Sequence, residues 1–415
     1  MSLKRLALFM LLLFSIPVMA QIAEEIAEPD FIKTITFRSN TNEGELPILK
    51  LNERLILEFD ALNANEEDFY YVIEHFNYDW TPSRLMKPEF LDGFDNQRIQ
   101  NYENSFNTYQ IYSHYTLQIP NRQTRLKVTG NYMISIYDDY GELMFSRKFM
   151  IYQDLAQVGV AVKRSRDVRY IASKQSVDIS VSSLNLRFIN PDQTVKTVIL
   201  QNNNLNTAIF NLKPQYTLGN SLVYKYDTES SFWGGNEYLF FENKDVRSAN
   251  VGVQFIDLKE IYHSYLFTDV IRADNPYTYN PDINGNFLIT ALDREDVRIE
   301  ADYTVVHFSL QHPEITDGDI YIYGNYNNYA LNDSNKMEWN SSSGLYEKQM
   351  VLKQGFYNYK YVIVDANNIL HEGAISGDFD VTENNYKVIV YYRDLGARYD
   401  QIIGLGESTS LKISN

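Results

Sequence analysis

Apolar and polar residues alternate at every second position in short runs along most of the chain, the period of a strand with one face buried. The runs from Phe31 to Phe37, Leu55 to Phe59 and Tyr70 to Phe76 have this form. So do Asn131 to Tyr137 and Leu143 to Ile151, which the turn sequence Asp138-Asp139-Tyr140-Gly141 separates. Turn residues recur about every ten positions, and no stretch carries a convincing helical stripe. This pattern predicts an all-β protein of tandem immunoglobulin-like β-sandwiches.

The runs fall into three sets. Residues 28–153 form a first sandwich with a long polar loop segment. Residues 154–268 form a second, with strands at Val158 to Val162, Ser176 to Val181, Lys196 to Gln201, Tyr238 to Phe241 and Val251 to Phe255. An irregular connection rich in Asp, Asn, Pro and Tyr follows at 269–297. The third sandwich covers 298–395, and the tail 396–415 shows no strand pattern.

Residues 1–20 read as a secretion signal: Lys4 and Arg5, the apolar run Leu6 to Pro17, then Val18-Met19-Ala20 before Gln21. The apolar run is shorter than the ~20 residues that span a membrane. The chain has no cysteine, so neither a lipid anchor at the cleavage site nor a disulfide is expected. Export then leaves a soluble mature chain beyond the inner membrane. Its formal charge moves from -17 to -19 once Lys4 and Arg5 are removed, which argues against nucleic acid and anionic membranes. The 33 tyrosines and 23 phenylalanines exceed what strand cores alone require, and tyrosine suits interfaces.

Catalytic and metal patterns are missing. The six histidines, His75, His114, His263, His307, His312 and His371, include no i, i+4 pair of the kind that binds zinc on a helix. There is no nucleophile elbow and no phosphate loop. Glu58 and Asp79 are typical carboxylates without a visible partner, and Asp317-Gly318-Asp319 lacks the remaining ligands of a calcium loop. A non-enzymatic binding protein without cofactor or metal is expected.

The most distinctive block lies between Asp79 and Asn121. It holds Asp79-Trp80-Thr81-Pro82-Ser83, then Gly93, then Tyr102 to Thr108, Tyr109 to Tyr115 and Ile119-Pro120-Asn121. With the secretion signal and the three-part β organisation, this block resembles the plug proteins of the Bacteroidetes type IX secretion system. The resemblance implies a periplasmic protein that binds the inner mouth of a giant outer-membrane β-barrel translocon and seals it while no substrate passes. From this block Asp79, Trp80, Ser83, Tyr102, Asn107, Tyr112 and Tyr115 are the candidates for shaping or making the contact surface.

The third set supports an alternative. Ile320 to Tyr329, Met337-Glu338-Trp339, Leu345 to Leu352 and Gly355 to Ile363 resemble the early-set immunoglobulin-like modules of glycogen- and starch-acting enzymes. That resemblance implies an exported carbohydrate-binding protein whose ring platform is Tyr326, Tyr329, Trp339 and Tyr357.

Overall fold

The computed structural model describes residues 22–39 and 46–413; the secretion signal expected at 1–20 lies outside them. The protein is all-β, and its sheets pair into sandwiches as the alternation requires. In the first sandwich a 4-stranded sheet runs in the order Ile32–Ser39, Leu55–Ala61, Ser113–Ile119, Asn101–Asn104. It faces a 5-stranded sheet ordered Ile48–Lys50, Leu143–Tyr152, Gly130–Tyr137, Tyr70–Phe76, Gln97–Arg98. Aromatic rings fill the space between: Phe59 stacks on Tyr115 at 5.1 Å and meets Phe145 edge-on at 5.2 Å.

The second sandwich is discontinuous in sequence. One of its sheets holds Gln157–Arg164, Lys174–Ser182, Ser221–Tyr224 and Tyr216–Leu218, with Ser231–Trp233 pairing to the first three residues of Lys174–Ser182. The other is ordered Asn204–Phe210, Val195–Gln201, Asn385–Tyr392, Gln401–Thr409. The strand Asn385–Tyr392, expected in the third set, thus pairs with Val195–Gln201 from Val195↔Tyr392 to Gln201↔Tyr386. The tail expected to lack strands supplies Gln401–Thr409. Both corrections have one cause. Alternation reports that a strand has a buried face, and says nothing of which sheet buries it.

The third sandwich is inserted between those halves. Leu239–Glu242, Gly355–Asp365, Phe287–Ile289, Gly318–Tyr323 and Leu370–His371 form one side. Val253–Leu258, Tyr262–Leu266, Tyr303–Gln311, Leu345–Lys353 and Glu338–Asn340 form the other. Leu239–Glu242 and the hairpin Val253–Leu266, expected in the second set, therefore belong here. The stretch expected to be an irregular connection contributes Asp269–Val270 and Phe287–Ile289 to these sheets.

A separate apolar layer joins the first and second sandwiches. Phe76, Trp80, Met133 and Met150 pack against Val198, Leu200, Ile389, Tyr391 and Ile402. The Tyr391 hydroxyl crosses this layer to donate to Asn131 Oδ1 at 2.7 Å. The C-terminal strands thus have one face in the second core and one against the first sandwich. Ending the chain after Asp380 is expected to abolish cooperative thermal unfolding of the second sandwich and to lower solubility. A circular-dichroism melt with the full-length midpoint would contradict this.

Candidate functional site

Alternation along Leu55–Ala61 sends Leu55, Leu57 and Phe59 into the first core and aims Glu58 and Asp60 the other way. That outer face meets the third sandwich instead of water. Asp60 is fully buried, and its Oδ2 accepts from Lys353 Nζ at 2.7 Å and from the Tyr303 hydroxyl at 2.6 Å. Its Oδ1 lies 2.6 Å from His114 Nδ1. Lys353 also donates to the carbonyl of Arg298 at 2.6 Å and lies 4.1 Å from the centroid of the Tyr112 ring. Arg38 pairs with Glu58 at 2.9 Å, and His114 Nε2 sits 3.9 Å from Glu58, a separation for charge attraction without a hydrogen bond.

These neighbours set the protonation states. Burial opposes ionisation of Glu58, but His114 and Arg38 outweigh it and hold the carboxyl down at about 2. Burial likewise opposes charge on Asp60, yet Lys353 and His114 keep its carboxyl below the usual range. Burial pulls His114 down, and Asp60 with Glu58 more than reverses that. The junction is a buried network of paired charges from two domains.

The same contact fixes the loop from Ser105 to Tyr112. The Ser105 and Tyr112 backbones bond across its base at 2.8 Å. Asp302, itself buried, accepts from the backbone N–H groups of Tyr109 at 2.7 Å and Gln110 at 3.1 Å. Phe106 N–H donates to the carbonyl of Ile299 at 2.8 Å. With its backbone held by the third sandwich, the loop projects Phe106, Tyr109 and Ile111, which are 65%, 56% and 58% exposed. Pinned backbone with bare apolar side chains is the arrangement of a preorganised contact patch.

The sequence candidates distribute unevenly around this patch. Trp80, Tyr112 and Tyr115 are buried, so of the two roles expected for them, shaping the contact surface or making it, only shaping is open to them. Trp80 lies in the layer between the first two sandwiches, its ring 4.6 Å from the Lys148 ammonium. Tyr112 donates to the carbonyl of Ala301 at 2.8 Å, and Tyr115 to that of Glu67 at 2.7 Å. Asp79 closes a local turn by accepting from Thr81 N–H and hydroxyl, and Ser83 Oγ accepts from Leu85 N–H. Tyr102 bonds Glu66 at 3.0 Å on a sheet edge, away from Asp79 and Ser83. Asn107, with φ of 57°, is exposed within the loop. Phe106, Tyr109 and Ile111 were not singled out because their exposure follows from the Asp302 clasp, which lies far away in sequence.

The expected sugar platform is not one. Tyr326, Tyr329 and Tyr357 are buried, and Trp339 packs on Tyr346 at 5.1 Å. Their rings fill the third core or the contact with the second sandwich. Among the described residues no group of three or more His, Asp or Glu is placed to hold a metal ion.

Removing one member of a buried ion pair strands the other. Lys353→Met is therefore expected to destabilise the chain by about 3–5 kcal/mol, measured by denaturant unfolding. The pH response has two limbs. The depressed Glu58 contributes stability that is present above its ordinary value of 4.5 and is lost as pH falls toward about 2. The raised His114 contributes stability present below its ordinary 6.5 and lost as pH rises through its folded-state value. In His114→Gln, unfolding midpoints followed against pH should lose the alkaline limb and show a weakened acid limb, since Arg38 alone then holds Glu58 down.

Comparison with known proteins bears on what such a body is. Residues 32–153 match the family model described as type 9 secretion system plug protein, first domain. No curated protein matches the chain. A hypothetical protein from Parabacteroides merdae ATCC 43184, solved by crystallography at 2.30 Å, is 31% identical with a TM-score of 0.89. The match covers 93% of this chain and 98% of that one, so it extends through all the sandwiches. By the match of its first sandwich, the chain belongs to the type 9 secretion system plug protein family.

Proposed function

We propose that the chain is a non-enzymatic periplasmic plug that binds the inner mouth of the outer-membrane translocon barrel of the type IX system and seals it between substrates. The observation that carries this reading is the family membership of the first sandwich, combined with how that sandwich is locked to the other two. A wide water-filled barrel leaks unless something bulky and stiff closes it. Three sandwiches joined by an apolar layer and a buried charge network supply a body that does not fold back under solvent pressure. No helix among the described residues is long and apolar enough to cross a membrane, and the expected leader at 1–20 would deliver the chain to the periplasm.

The proposed contact is the Ser105–Tyr112 loop. Phe106, Tyr109 and Ile111 give a compact apolar centre, while Asn107, Glu103 and Tyr102 supply a polar rim. Asp79 and Ser83 act through the turn that seats Trp80. Such a small patch favours a releasable complex, so a substrate entering the barrel need only exceed the plug's affinity for the closed state.

The tagged mature chain should copurify with a very large β-barrel from gently solubilised outer membranes. Replacing Phe106, Tyr109 and Ile111 together by Ser should remove the barrel from the eluate while leaving the unfolding midpoint in place. Failure of the unmodified chain to recover a barrel, under conditions that keep other translocon contacts, would sink the proposal.

A further inference from the structure

The strand Leu143–Tyr152 pairs along its length with Gly130–Tyr137 on one side. On the other side Ile48–Lys50 covers only Met150–Tyr152. The N–H groups of Ser146 and Lys148 therefore point to an edge with no neighbouring strand, and such an edge is a template for another extended chain. Residues 22–28 lie across it. Ser146 N–H donates to the Ile26 carbonyl at 3.1 Å, Ile26 N–H to Ser146 Oγ at 2.8 Å, and Lys148 N–H to Glu25 Oε1 at 2.5 Å. Arg147 bends over the same edge and donates to the Ser146 carbonyl at 2.9 Å and to Glu28 at 2.7 Å.

This cover is incomplete. Residues 22–28 form no strand, and a carboxylate and a guanidinium stand where a ladder would place backbone groups. Among the described residues two backbone–backbone hydrogen bonds hold the segment, the one from Ser146 and one from Ala23 N–H to the Trp80 carbonyl at 3.0 Å. Ile22 and Ile26 are 57% and 44% exposed. Beside the segment a groove of about 590 Å³ runs between the sandwiches, with Trp80, Leu205, Phe210 and Leu331 among its apolar walls.

We infer that the edge from Leu143 to Lys148 is a strand-addition site for an extended acidic segment of a partner protein, and that residues 22–28 hold it shut. The resident segment shows what the edge recognises: an apolar residue between two acids, in the spacing of Glu25, Ile26 and Glu28. Arg147 and Lys148 set the sign of that preference, and a basic segment would lose both glutamate contacts. Backbone bonds along the edge supply the affinity, and the groove receives side chains of the incoming strand. A tethered segment competes at an effective concentration of about millimolar, so the partner enters by completing the ladder that residues 22–28 leave unmade. The inference does not depend on the barrel reading.

The test is fluorescence anisotropy of a labelled peptide of residues 22–28 titrated with the full-length mature chain. A chain carrying Glu25→Gly with Ile26→Gly loosens the resident segment and keeps the Arg147–Glu28 pair. It should bind the peptide saturably and at least about tenfold more tightly than the unmodified chain does. Both positions lie outside any strand, so its circular-dichroism melt should keep the unmodified midpoint. Ala23→Pro, which removes the N–H given to Trp80, is a second loosened form with the same expectation. Peptides with Glu25→Gln and Glu28→Gln, or with a methylated Ile26 nitrogen, should bind at least about tenfold more weakly. No saturation with either loosened chain, equal affinity for loosened and unmodified chains, or undiminished binding of the glutamine peptide overturns the inference. Dimerisation of a loosened chain in sedimentation, dispersed by the peptide, would make a second copy the occupant and overturn the partner assignment.

Discussion

A lysine and an aspartate from different sandwiches, each 1% exposed, face one another at 2.7 Å, and the arrangement of the first and third domains depends on that pair. Burying two charges costs several kcal/mol each unless every lone pair and proton finds a partner. Asp60 meets that condition with Lys353, Tyr303 and His114, and Lys353 adds the Arg298 carbonyl. Shifting one domain by a single strand residue would leave these groups dry and unpaired. The network therefore contributes specificity of docking more than net stability, and it sets the position of the Ser105–Tyr112 loop through Asp302.

The strand frame was legible because period-two alternation is a local signal. Leu55, Leu57 and Phe59 read as core and are core. Glu58 and Asp60 read as water-facing by the same rule, and only a second domain arriving on that face makes them a buried site. The run Asn385–Tyr392 carries apolar residues on both faces, which is the mark of a strand covered on both sides. Which two bodies cover it is information held by residues some 190 positions away in the Val195–Gln201 pairing.

Tyrosine had a similar double meaning. An excess of it suggested partner contacts, yet many of the largest fully buried side chains are tyrosines. Their hydroxyls serve internal acceptors: Tyr132 bonds the Val128 carbonyl, Tyr357 that of Lys353, and Tyr359 with Tyr361 share Asp269 at 2.8 Å each. Composition counts such rings without telling an outward hydroxyl from an inward one. The exposed Phe106, Tyr109 and Ile111 sit inside the block that stood out in sequence, so the region was legible there and its exposed side chains were not.

The insertion of the third sandwich between strands of the second has a mechanical side. The third domain hangs from two adjacent crossings tied at Gly234, Gly235 and Asn384, so it has no single hinge about which to swing. Tension applied between the two ends of the folded chain passes through the first and second sandwiches and bypasses the third. A pull on the terminal sandwiches can thus loosen them while the inserted one stays folded, so the third domain survives a strain that opens the other two.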